Sequence, residues 1–188
     1  MSESISPLFK IDFNFISRLE GSSCTGYVPD PKNSQSGVTI ASGFDIGQRS
    51  ESELKQAFSG DLCLKLLPYS NKIKQDACDA LTQQPLSISQ EEADSINIYS
   101  HHHAQKKLIQ EWQLAKPYTD FDLLSSACQT VVASVAFQYG NLALKTPNFW
   151  QQVTSGNWQS AYVNLRGFGD KYPSRRNIEA DLLATWLS

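Results

Sequence analysis

A change of texture near residue 50 constrains this 188-residue chain more than any other feature of it. Residues 22–47 are rich in Ser, Gly, Pro and Asn and carry short β-prone pieces, Thr-Gly-Tyr-Val at 25–28 and Val-Thr-Ile-Ala-Ser-Gly-Phe at 38–44. From Ser50 onward apolar residues recur at helical spacing almost without interruption. A chain that places its strands early and its helices late builds an α+β protein, with a small antiparallel sheet and a larger helical body.

The details fill in that outline. Ile11, Phe15 and Leu19, with Ile16 beside them, predict a helix over 9–20 that stops at Gly21. The run Pro-Asp-Pro-Lys-Asn-Ser-Gln-Ser-Gly at 29–37 predicts a long loop between strands. Ser50 with Glu53, and Ser89 with Glu92, match the capping box that opens a helix. Further helices are expected over 51–58, 61–67, 71–82, 90–114, 121–138, 147–155, 157–166 and 174–187, with breaks at Pro68, Pro85, Pro117, Gly140-Asn141, Gly156 and Tyr172-Pro173. The expectation is one domain over 1–188. It has an N-terminal β-containing lobe over about 9–60, a helical lobe over about 61–188, and a cleft between them.

Composition removes several function classes. A net charge of −3 lacks the basic surplus of a nucleic-acid binder. The longest apolar stretch, near Val131–Phe137, is broken by Ser134 and is too short to span a bilayer. The first residues show neither a basic n-region nor a small-residue cleavage site, so no signal peptide is expected. Cys24, Cys63, Cys78 and Cys128 form no CxxC pair and no zinc spacing, and the last three sit in apolar helical patterns as buried thiols. His101, His102 and His103 would point in three directions about 100° apart on a helix. They read as a solvated face rather than a metal site. Trp112, Trp150, Trp158 and Trp186 lie among apolar residues and read mostly as core. No GxSxG elbow or P-loop is present, and no cofactor or metal is implied.

Among the carboxylates, Glu20 closes the first predicted helix directly before the polar β segment. A helix end presents unpaired carbonyls, which suits an acid that must keep its proton. By placement alone a solvated surface glutamate is the more common outcome. In Ser-Gly-Val-Thr-Ile-Ala-Ser-Gly-Phe-Asp-Ile-Gly-Gln (36–48), Thr39 lies in a strand-like run and Asp45 follows Gly43-Phe44. A threonine hydroxyl beside a carboxylate can hold a water; an ordinary hairpin with a turn aspartate reads equally well from this segment.

The order of the whole set is more specific. Glu-Gly after the first helix, a Gly-Tyr β segment and then Thr-Ile-x-x-Gly together resemble the phage-type lysozymes, which include the T-even phage endolysins and, more distantly, the pesticin-like bacterial toxins. Val-Val-Ala-Ser-Val-Ala-Phe-Gln-Tyr-Gly-Asn-Leu-Ala-Leu (131–144) resembles the family's buried central helix. Ser155–Leu165 resembles its Trp-x-x-Ala-x-x-Asn-Leu helix, and Tyr172–Trp186 its Arg-bearing closing helix. Residues 50–125 match little beyond being helical.

The resemblance implies a lysozyme-like fold and a muramidase that cuts the β-1,4 bond between N-acetylmuramic acid and N-acetylglucosamine, with inversion. It implies Glu20 as general acid and Thr39 as the active-site threonine. The second carboxylate is Asp45, six residues after Thr39 as in the pesticin-like branch, or Asp30, nearer the phage pattern; Asp45 is preferred. Arg175 takes the place of the family arginine that faces the acid, and Gln138 that of a glutamine able to bind a sugar amide or simply to end a helix. The expected partner is peptidoglycan, with a cognate immunity protein where the enzyme is a bacteriolytic effector; a monomer that meets its substrate in the periplasm after export or injection is expected. A phage endolysin, a lytic transglycosylase and a non-catalytic peptidoglycan-binding module are the alternatives.

Overall fold

The computed structural model describes residues 9–188. The reading of the N-terminus as lacking an export signal rests largely on residues 1–8, which lie outside the described residues. The chain forms two compact units, one from residues up to 19 together with 101–188, the other from 20–100. The boundary expected near residue 60 therefore falls after residue 100. Residues 61–96 bury Cys63, Leu66, Tyr69, Ala77, Ala93 and Ile96 in one core with the sheet, and that burial assigns them to the smaller unit.

The first helix, α1 (Phe13–Glu20), begins four residues later than its apolar spacing predicts. Long-range partners claim the preceding backbone: Lys10 N donates to Gln129 Oε1 at 2.6 Å and Asp12 N to Thr130 Oγ1 at 2.9 Å. Asp12 then caps the helix by accepting from Phe15 N at 2.9 Å. Gly21, at φ 69°, supplies the left-handed residue that ends it.

The unit of residues 20–100 is built on strands β1 (Ser23–Tyr27), β2 (Thr39–Ala41) and β3 (Phe44–Asp45), antiparallel in the order β1-β2-β3. The outer edge of β1 is covered by residues 86–88, through Gly26 N to Leu86 O and Ile88 N to Cys24 O, both 2.9 Å. A 3-10 turn at Ile46–Gln48 leads to α2 (Glu51–Ala57), α3 (Gly60–Leu66), a second 3-10 turn at Leu67–Tyr69, α4 (Lys74–Gln83) and the first half of α5 (Gln90–Leu114). Both predicted capping boxes form: Ser50 with Glu53, and Ser89 with Glu92. Val38, Ile40, Phe44, Ile46, Leu54 and Leu66 make the core. Each such side chain contributes about 1.5–3 kcal/mol on burial.

The other unit is helical. After the second half of α5 and a 3-10 turn at Phe121–Leu123 come α6 (Ser126–Tyr139), α7 (Leu142–Lys145), α8 (Pro147–Thr154), α9 (Trp158–Arg166) and α10 (Pro173–Leu187). The helix expected over 121–138 is split because Ser125 caps α6 by accepting from Cys128 N at 3.2 Å. α7 is an additional turn of helix, opened by Asn141 accepting from Leu144 N at 3.0 Å. α6 is buried on every side from Cys128 to Ala136, and α10 packs along it. Burial pushes the Cys128 thiol up to about 11, so it is an inert packing group. All four cysteines are free thiols, and Cys78 is half-buried rather than buried.

One aromatic expectation is corrected. His101 is not on a solvated face: it is buried between the rings of Phe13 and Phe137, nearly parallel to both, at centroid distances of 5.0 and 5.3 Å. His102 and His103 are exposed. Trp112, Trp150 and Trp158 are core, whereas Trp186 is 44% exposed.

Candidate functional site

Within residues 20–100 the sheet brings Thr39 and Asp45 together. They are direct cross-strand partners of the β2–β3 hairpin, so their side chains lie on one face of the sheet. Thr39 is buried and its Oγ1 donates to Gly37 O at 3.2 Å, leaving the hydroxyl oxygen as an acceptor. The half-buried Asp45 carboxylate is held by the backbone. Its Oδ1 accepts from Gly37 N at 3.1 Å and Gly47 N at 3.0 Å, and its Oδ2 shares the Gly37 amide at 3.2 Å. Asp45 therefore caps the 3-10 turn and still keeps acceptor capacity on Oδ2.

That grip requires backbone packed on backbone. A Cβ added at Gly47 would lie 2.1 Å from Lys72 O, and one at Gly37 would lie 2.4 Å from both Gly47 Cα and Lys72 O. The bridge between Gly37 and Ile73 fastens the same strip. Glycine is the only residue that fits at either position.

Glu20 is half-buried at the last position of α1. The residue after it is pinned to the hairpin turn: Gly21 O accepts from Ser42 Oγ at 2.7 Å, and Ser42 N in turn donates to Asn97 Oδ1 at 3.0 Å. Asp30 makes a different set of contacts. It is exposed, at φ 40°, and its Oδ1 accepts from Asn33 N and Nδ2 at 3.3 and 3.0 Å, which makes it the capping residue of a loop turn.

In the helical unit Gln138 and Arg175 prove to be members of one buried polar cluster. Arg175 donates from Nε to Glu179 Oε1 at 3.2 Å, and from Nη2 to Ser134 O and Oγ at 3.0 and 3.1 Å. Gln138 Oε1 accepts from Arg176 Nη2. Arg176, 1% exposed, also meets Glu179 Oε2 at 2.6 Å and Asp170 Oδ2 at 3.2 Å, with the rings of Tyr139 and Phe168 against its guanidinium. Tyr139, pushed up to about 12 by burial and the Asp170 carboxylate, remains a neutral donor to Asp170 at 2.6 Å.

Sequence reasoning missed Ser134, Asp170, Arg176 and Glu179. The signals were present: Arg175 and Arg176 stand four and three residues before Glu179, pairs that meet on one helix face, and Ser134 interrupts an otherwise apolar run.

Chemically, the smaller unit offers one carboxyl group at a helix end and a second, held by backbone amides, beside a hydroxyl, while the helical unit offers amide and guanidinium donors. No curated protein matches the chain. A family model described as pesticin, a bacterial toxin homologue of phage lysozyme, C-terminal, matches residues 10–159, which includes Glu20, Thr39, Asp45 and Gln138 and stops short of α10. The lysozyme-like α+β fold follows from that match together with the sheet and helices above. The chain belongs to the pesticin family.

Proposed function

We propose that this protein is a muramidase, hydrolysing the β-1,4 bond between N-acetylmuramic acid and N-acetylglucosamine in peptidoglycan. The observation that carries the reading is the Thr39–Asp45 cross-strand pair, set in the same small unit as Glu20. Glu20 protonates the departing glycosidic oxygen. A water donates one hydrogen to Asp45 Oδ2 and the other to Thr39 Oγ1, which turns its lone pair toward the anomeric carbon. Asp45 takes up the proton as the water attacks, and the sugar inverts. Asp30, spent on a loop turn, has no part in this scheme. Gln138 and Arg175 bind the glycan.

As a member of a toxin family the protein acts in this scheme on the cell wall of a competitor, reached from the periplasmic side, and a cognate immunity protein protects the producer. The test is digestion of purified sacculi by the wild type and by Glu20→Gln. The expected outcome is release of fragments with reducing ends by the wild type and loss of about 10²–10⁴-fold in rate for the variant, with an unchanged circular dichroism spectrum. Anhydromuramic ends would reassign the protein as a lytic transglycosylase. Full activity in Glu20→Gln would remove Glu20 as the acid.

A further inference from the structure

We propose that the buried Arg176–Glu179 pair, with Ser134, is a positioning device that holds Gln138 and Arg175 in the geometry that binds the glycan. The inference rests on the reading above that those two side chains contact substrate.

The pair is an expensive thing to bury. Arg176 is 1% and Glu179 0% exposed, on a helix that packs along α6 and shares with it a buried cluster that includes Val131, Val135, Ala180 and Leu183. Apolar residues of similar volume commonly replace a buried ion pair with neutral or favourable effect on stability. Helix packing therefore gives no reason for these two residues. Burial pushes the Glu179 carboxyl above the ordinary carboxylate range and the Arg176 guanidinium below its own, each opposed by the charge of the other.

What the pair does is visible in its contacts. Glu179 accepts from Ser134 Oγ at 2.5 Å and from Arg175 Nε at 3.2 Å with Oε1, and faces Arg176 with Oε2. One carboxylate thereby fixes both arginines. Arg176 carries the constraint on to Gln138, whose Oε1 it engages, so that contact uses the amide oxygen and neither of its two N–H donors. Asp170 closes the set by meeting Arg176 and accepting from Tyr139 Oη and Tyr172 N at 2.6 and 2.9 Å. Two candidate substrate contacts, on different helices, thus share one buried origin. A lysine at 176 could not do this, because a single ammonium lacks the fork that reaches Gln138, Asp170 and Glu179 together.

The test measures kinetics on soluble, uncrosslinked glycan strands from purified peptidoglycan, for wild type, Glu20→Gln, the double variant Arg176→Met/Glu179→Leu and the isosteric Glu179→Gln. Loosened binding groups raise KM, whereas a merely structural defect lowers the active fraction and so kcat at unchanged KM. The expected result is a thermal midpoint for the double variant equal to or above that of the wild type, with KM about tenfold higher and kcat within about twofold. Glu179→Gln, which keeps shape and bulk, should raise KM about threefold, and decides the matter if the double variant does not fold. Wild-type KM in a folded variant overturns the inference and leaves the muramidase reading standing. An inactive wild type overturns the muramidase reading and this inference with it.

Discussion

The two units hold their polar groups in opposite ways. In residues 20–100 the Asp45 carboxylate is caught by backbone amides, in a strip where Gly37, Gly47 and Lys72 touch main chain to main chain. In the helical unit Arg175 and Gln138 are caught by other side chains, themselves buried and charged. Backbone capture uses no desolvated counter-ion, but it leaves no room for a methyl group. Side-chain capture tolerates changes of bulk and depends instead on charge and reach. Added bulk in the first arrangement tells on stability, whereas a lost partner in the second tells on the geometry of Arg175 and Gln138.

Three perturbations of graded size test that contrast. The largest concerns activity: Asp45→Asn should lower hydrolysis of sacculi by about 10²–10⁴-fold, while Asp30→Asn stays within about threefold, a window set by the loss of one exposed turn cap. Turbidity clearance measures both, and equal losses would dissolve the distinction between a sheet-held and a turn-held carboxylate. Next comes Gly47→Ala, where one methyl meets Lys72 O. It should cost about 1–3 kcal/mol of stability, read as a lower urea midpoint, against no loss in Arg176→Met/Glu179→Leu. The smallest lies at the second capping box, where hydrogen bonds from Lys65 and the Ser89 amide hold Glu92 below the ordinary carboxylate range. Its contribution is present above the unfolded carboxylate pKa, near about 4.3, and fades as pH falls through the lower folded value. Glu92→Gln should therefore cost about 0.5–1 kcal/mol at pH 7 and less at pH 3, measured by thermal melts at both.

The same contrast explains what could be read from sequence. Helices α2 to α5 and α8 to α10 lie within a few residues of their expected bounds because caps and apolar spacing are local facts. Thr39 and Asp45 are cross-strand partners on one hairpin, yet that segment alone reads equally well as a hairpin with a turn aspartate, and only the order of the whole set of motifs singles them out. The start of α1 was not legible, since its first residues answer to Gln129 and Thr130, more than a hundred positions away. His101 was misread because the partners that bury it, Phe13 and Phe137, come from distant helices. Arg176 and Glu179 carry the same lesson: a charged pair on a helix reads as solvated until the neighbouring helix is known to cover it.

The strip around Gly37 has a consequence for engineering. Loop residues 28–36 leave β1 at Tyr27 and are fastened again at their far end, where Gln35 O accepts from Gln48 Nε2 at 2.7 Å and Ser36 O from Lys74 N at 2.9 Å. Between those anchors Val28 packs against the core of the unit and Pro29, Pro31 and Ser34 are half-buried, while Asp30, Lys32 and Asn33 are exposed; the bonds at Asp30 and Ser34 are internal to the loop. Length and sequence can vary at 30–33 with the least disturbance to the hairpin. Those exposed positions are thus the place to graft a recognition peptide or an affinity tag while leaving the backbone grip on Asp45 in place.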